Sequence, residues 1–202
     1  MNYLAHAYLS FGRPEILVGN MISDFVKGKK KYEYSRGILK GIELHRDIDK
    51  FTDDHAATKL AKQIFVPHYG LYSGAFIDVV YDYFLANDKN KFANDSLFDF
   101  TQQVYASLDN HKLAFPEKFL AMYPHMKKNN WLFNYKEKWG IKRSIEGLVY
   151  RAAYLSDAET AFELFEKNID ELGNSYSAFF PELKEHVLAR IEEPPTTQTV
   201  HM

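Results

Sequence analysis

Between Gly74 and Asp88 the chain reads GAFIDVVYDYFLAND. Wound into a helix, this segment is apolar on nearly every side. A helix apolar all round is buried, so other elements must surround it. Only Asp78 and Asp82 interrupt it. They stand four apart, which puts both carboxylates on one helical face, one turn apart. An ionised carboxylate buried without a partner would neutralise instead. The pair therefore calls for a cation, either a divalent metal or a basic side chain such as Arg46, Arg143 or Arg151, or for a helix end to cap.

The rest of the chain repeats the helical period. Strict alternation over a strand length is absent, so the expected fold is all-α, a compact single-domain helical bundle. Pro14 suits a first turn and leads into a face with Ile16, Leu17, Asn20, Met21, Asp24 and Phe25. Ser35 can cap a helix bearing Ile38, Ile42, His45, Ile48 and Asp49. Asp53 or Asp54 can start a short helix to Phe65, and residues 67–74 read as a break. Asn94 or Asp95 opens a helix ending near Leu113. Pro116 opens another, interrupted at Pro124. Helices over 142–155 and 157–172 follow, with Ser156 and Glu159 as a capping box between them. Pro181 opens the last helix, and Pro194-Pro195 ends it. Residues 1–192 read as one domain, and the polar tail 193–202 as disordered.

Among 202 residues, 46% are hydrophobic and 16% aromatic, enough for a full core. The net charge of −2 gives no global basic field, which argues against nucleic acid as a partner. There is no cysteine, hence no disulfide, thiolate ligand or Cys nucleophile. The opening MNYLAHAYLS lacks the basic and apolar regions of a signal peptide, and no run of 18 apolar residues occurs. A cytoplasmic enzyme or binding protein is expected, with no membrane association.

Four further polar residues stand in apolar or helical settings. Asp24 lies in GNMISDFVKG, and His6 follows Asn2 by one turn in the opening segment. His45 and Asp49 stand four apart in GIELHRDIDKFTDDH. Imidazole nitrogen and carboxylate oxygen together suit Mn²⁺, Fe²⁺ or Zn²⁺. The adjacent His-Asp dyad of the HD-type metalloenzymes is not present as written: Arg46 separates His45 from Asp47.

The words MNYLAHAYLS, GNMISDFVKG, GIELHRDIDKFTD and FIDVVYDYFL, in this order, resemble the acyl carrier protein phosphodiesterases. NWLFNYKEKWGIKRSIEGLVYR is a weaker match. The resemblance implies an all-helical, HD-domain-like fold. It implies removal of 4′-phosphopantetheine from the serine of holo-acyl carrier protein, with Mn²⁺ as the associated metal and Fe²⁺, Mg²⁺ or Co²⁺ as other choices. Asp24 falls on the position essential for metal-dependent hydrolysis. His6, His45, Asp49, Asp78 and Asp82 fall on the positions of further ligands or their supports. Relatives often carry His after the second aspartate of the D-x-x-x-D helix, where Tyr83 stands here. If that His takes part in catalysis, turnover would be slower or the substrate another phosphodiester.

The chemistry expected is hydrolysis at phosphorus by water that a divalent ion activates, with a proton for the leaving serine from water, His6 or His45. An acidic carrier protein needs a basic docking surface. Lys27, Lys29, Lys30 and Lys31 follow the Asp24 word, and Arg36 and Lys40 come next. A second basic cluster comprises Lys127, Lys128, Lys136, Lys138, Lys142 and Arg143. Two rivals remain: an HD-like phosphohydrolase of a nucleotide or other small phosphodiester, and a non-catalytic helical module that binds carrier protein.

Overall fold

A computed structural model describes residues 1–94, 96–152 and 154–192. They form twelve α-helices and four 3₁₀ turns, with no strand among the described residues. The α-helices are α1 (Tyr3–Tyr8), α2 (Pro14–Ile22), α3 (Arg36–Asp54), α4 (Ala56–Lys62), α5 (Val66–Tyr69), α6 (Ser73–Asn87), α7 (Ser96–Asp109), α8 (Glu117–Lys128), α9 (Trp131–Asn134), α10 (Lys138–Arg151), α11 (Glu159–Lys167) and α12 (Ile169–Glu192). The chain is all-α, as its periodicity predicts. Among the described residues no helix is long and apolar enough to cross a membrane.

Helix α6 is the GAFIDVVYDYFLAND segment, and it runs through the interior. Phe76, Ile77, Val80, Tyr81 and Leu85 have no exposure. Burying each such side chain contributes about 1.5–3 kcal/mol before the entropy of ordering it. α1, α4, α10 and α12 pack around α6.

The closest helix pair is α2 with α3, and two glycines set its spacing. A Cβ on Gly19 would stand 2.2 Å from the Ile38 carbonyl oxygen, and one on Gly41 2.3 Å from that of Ile16. Backbone therefore lies directly on backbone. This crossing brings the end of α2 to the middle of α3, where His45 sits.

Several helix boundaries differ from the sequence reading. α3 continues through Asp53 and Asp54, and the cap of α4 is His55, whose Nδ1 accepts from Ala57 N–H at 3.2 Å. Asp157, not Ser156, accepts from Thr160 N–H at the start of α11. Pro124 lies inside α8 and Pro181 inside α12. Both prolines are exposed, as are Leu120 and Ser177 one turn before them. The carbonyls that lose a helical partner therefore face water, which can satisfy them. Ser35 caps α3 as expected, accepting from Ile38 N–H. Asp95 and the tail 193–202, including Pro194-Pro195, lie outside the described residues.

Candidate functional site

Helix α1 is only six residues long, too short to hold itself. Asn2 caps it, accepting from Tyr3 N–H at 2.9 Å. The carboxylate of Asp82, fully buried, adds a second cap. It accepts from Leu4 N–H at 2.7 Å and from Ala5 N–H at 3.2 Å. Burial pushes the Asp82 carboxyl up to about 7, against the pull of these amides and of the Met1 ammonium. Asp82 thus holds α1 where it delivers His6.

His6 meets His45 face to face. The ring centroids are 3.8 Å apart and the planes 13° from parallel. His45 Nδ1 donates to the Asn20 carbonyl oxygen at 2.8 Å, which fixes the ring and leaves Nε2 to point into the site. Nε2 lies 3.2 Å from Asp24 Oδ1 and 3.2 Å from Asp49 Oδ2. His6 Nε2 lies 3.2 Å from Asp49 Oδ1 and 3.1 Å from the Met1 carbonyl oxygen. Asp49 therefore bridges the two imidazoles. The Met1 ammonium then joins Asp49, at 3.2 Å, to Asp78, at 2.9 Å.

The electrostatics follow from this packing. Burial and the charge of His45 lower His6 to about 4. Burial also opposes charge on His45, but the hydrogen bonds it donates to Asp24 and Asp49 outweigh it and raise His45 to about 9. Two stacked rings cannot both carry charge cheaply, so His45 is the cation. Asp24 is held below its usual range, mainly by the hydrogen bond with His45. Burial raises Asp49, but the Met1 ammonium, His45 and His6 together pull it far down. Burial lowers the Met1 ammonium, yet Asp78 and Asp49 raise it to about 11. Burial lifts Asp78 despite that ammonium.

Two cations thus sit among three carboxylates, a charge pattern that a divalent ion also satisfies. Ligand atoms of His6, His45 and Asp49 lie within 4.8 Å of one another. Two nitrogens and an oxygen at that spacing fit a first-row divalent metal. Asp24 adjoins this set through His45. Asp78 is one ammonium away from it, and Asp82 is engaged with the amides of α1. The six sequence candidates are therefore neighbours with different partners.

Asp24 swings out of the core on the 3₁₀ turn Ser23–Phe25, and 67% of its side chain is exposed. It opens into a cavity of about 470 Å³ that Phe25, Lys27, Lys30 and Lys118 also line. Phe25 packs edge-on against Phe119 of α8 at 5.5 Å, which brings Lys118 to the rim. Lys27, Lys29, Lys30 and Lys118 make no ion pair among the described residues, and Arg36 is exposed at the start of α3. Lys31 is engaged with Glu43 at 2.8 Å. Tyr83 packs edge-on against Phe165 of α11, with ring centroids 5.2 Å apart.

Sequence reasoning missed three contributors: the Met1 ammonium, the Asn20 carbonyl and Lys118. Asn20 was marked by its place one turn before Asp24. For Lys118, far along the chain, there was no local signal.

A bundle of helices that converges two imidazoles and carboxylates beneath a lysine-lined opening has the makings of a helical hydrolase site. The family profile of the acyl carrier protein phosphodiesterases matches residues 1–183, and the chain belongs to that family. An acyl carrier protein phosphodiesterase of Yersinia enterocolitica is 31% identical over 182 residues, covering 90% of this chain and 94% of its own. One of Photorhabdus laumondii is 28% identical over 186 residues, covering 92% and 94%. No solved structure gives a significant match.

Proposed function

We propose that this protein hydrolyses holo-acyl carrier protein to apo-carrier protein and 4′-phosphopantetheine, in the cytoplasm and with a divalent metal, Mn²⁺ first among the choices. The observation that carries the reading is the convergence of His6, His45 and Asp49 beside the exposed carboxylate of Asp24, in a chain of this family. The HD-type kinship belongs to the same reading.

His6 Nε2, His45 Nε2 and Asp49 would hold the ion, with Asp24 alongside. When bound, it would polarise a phosphoryl oxygen and lower the pKa of water. Asp24 stays ionised and reaches solvent, so it can accept a hydrogen bond from the attacking water and aim it at phosphorus. The Asn20 carbonyl keeps the His45 ring fixed throughout. Were both Nε2 atoms to hold the ion, His45 Nδ1, which donates to Asn20, and the buried His6 Nδ1 would have no proton to give the leaving serine, and solvent at the Asp24 opening would supply it. Lys27, Lys29 and Lys30, with Lys118 and Arg36, form the surface on which an acidic carrier protein docks.

Mass spectrometry of holo-carrier protein incubated with this protein and Mn²⁺ tests the whole reading. The expected result is apo-carrier protein plus free 4′-phosphopantetheine, abolished by chelation. Cleavage of small phosphodiesters with intact holo-carrier protein would instead select a phosphohydrolase of small substrates. Binding without turnover would select a carrier-protein-binding module.

A further inference from the structure

A phosphodiester has two arms, and the reading above assigns a place to only one. On that reading the carrier protein sits on the lysines at the Asp24 opening, because a folded acidic protein is too large to enter. The second ester arm then needs a place of its own beside the His6–His45–Asp49 cluster. The molecule has a groove there.

The groove lies between α4, α5 and the first turn of α6. It measures about 630 Å³, and Asp53, Lys62, Val66, Leu71, Gly74 and Asp78 are among its walls. Asp78 ties it to the site: its Oδ1 is 2.9 Å from the Met1 ammonium, which is 3.2 Å from Asp49. The walls are of two kinds. Val66 and Leu71 are apolar and exposed, Leu71 completely. Across from them Lys62 is held by Asp53 at 2.6 Å, a fixed pair of donor and acceptor groups. At Gly74 a Cβ would meet Lys62 Cε at 3.4 Å, so the absence of a side chain keeps the floor open. Apolar groups beside a paired donor and acceptor offer a ligand both kinds of contact.

We infer that this groove binds the pantetheine arm of the substrate. The arm's chemistry matches the walls. Its branched dimethyl carbon and methylenes suit Val66 and Leu71, and its amides suit the Asp53–Lys62 pair. The groove opens to solvent at Leu71, where the thiol end would emerge.

The test uses the intact protein, wild type and the variants Gly74→Phe, which fills the groove, and Leu71→Ser, which removes the apolar wall at a fully exposed position. Two substrates are compared: holo-carrier protein and bis(p-nitrophenyl) phosphate, which has no such arm. Pantetheine, which lacks a phosphate, serves as a direct probe by saturation-transfer NMR and as an inhibitor. The expected result is a KM for holo-carrier protein raised about tenfold in both variants, as for loss of a partly buried apolar contact. Cleavage of the small diester should be unchanged, and pantetheine binding should weaken in parallel. Lys27→Glu/Lys30→Glu should retain pantetheine binding. Unchanged KM and unchanged pantetheine binding in both variants would overturn the groove assignment while leaving the hydrolysis intact. Equal loss on both substrates would also overturn it, since the variants would then be acting on the metal site. Wild type that binds pantetheine in a Gly74→Phe-sensitive way but leaves holo-carrier protein intact would sustain the groove and overturn the proposed reaction.

Discussion

The two basic clusters look alike in sequence and differ in what surrounds them. Around Asp24, Lys27, Lys30 and Lys118 line an opening and have no acidic partner among the described residues. In the second cluster, Lys127 meets Asp109, Lys138 meets Glu166 at 2.9 Å, and Lys142 meets Glu159 at 2.6 Å. Arg143 lies over the Trp139 ring at 5.5 Å. The second cluster ties helices together at the surface. In the first, Lys27, Lys30 and Lys118 keep their charge available. A lysine run is therefore read by its partners, not by its density.

The sharpest break between the regions is expected at their carboxylates. Asp24→Asn should lower hydrolysis of holo-carrier protein by about 10²–10³-fold or more, the scale for removing one group that acts in the transition state. Its melting temperature should stay within a few degrees of wild type. Asp109→Asn should leave hydrolysis unchanged. Parallel assays with thermal unfolding decide this, and a fully active Asp24→Asn protein would remove Asp24 from the chemistry.

The next effect comes from moving the first cluster as a body. Gly41→Ala forces a methyl against the Ile16 backbone, which cannot yield as a side-chain tip would. It should cost about 1–3 kcal/mol in urea unfolding and reduce activity with it, since α2 carries Asn20 and leads to Asp24. Gly147→Ala, near the second cluster, meets only the tip of Arg151 at 3.3 Å and should cost little or stabilise.

A smaller effect is expected from charge reversal. Lys27→Glu/Lys30→Glu/Lys118→Glu should lower kcat/KM for holo-carrier protein about tenfold at low salt, the difference shrinking as salt rises. Cleavage of a small diester should change little. The matched triple at Lys127, Lys138 and Lys142 should leave kcat/KM near wild type. Equal losses in the two triples would erase the distinction between the clusters.

The smallest effect lies in acid. Burial raises Asp109, but hydrogen bonds from Lys112, Lys127 and Tyr123 outweigh it and lower the carboxyl from 3.8 to about 2. A carboxyl held low in the folded state stabilises above its unfolded pKa, and that stability is lost as pH falls from about 4 toward 2. The pair is near the surface, so about 0.2–1 kcal/mol is expected. Unfolding of wild type and Asp109→Asn at pH 6 and pH 2.5 should show a larger difference at the first and a smaller one at the second, since the carboxyl loses its charge in the folded state only near pH 2.

Much of the fold was legible because periodicity reports burial directly. The interior course of α6 and the Ser35 cap were both readable. Pro124 and Pro181 misled because proline signals a break only where the lost hydrogen bond cannot go to water. His55 was passed over as a cap because acidic neighbours looked better suited. At the site, His45 and Asp49 were readable as a pair because a helix sets their geometry. The partition between Asp78 and Asp82 was not readable. Both stand on one face, yet the first meets the Met1 ammonium and the second meets amides of α1. Only tertiary packing decides which donor reaches which carboxylate. Lys118 was hidden for the same reason.

The Asp82 cap has a consequence for the order in which the molecule is made. Its carboxylate and the Leu4 amide are 78 positions apart. At a synthesis rate of about 5–20 residues per second, some 4–16 s separate the appearance of the two on a ribosome. Throughout that interval α1 lacks its buried cap, and His6 has no fixed position relative to His45. The histidine pair is therefore completed only once Asp82 has been made, although His6 is made well before it. A nascent chain stopped before residue 82 would carry both histidines and Asp49, yet would lack the cap that holds His6 beside them.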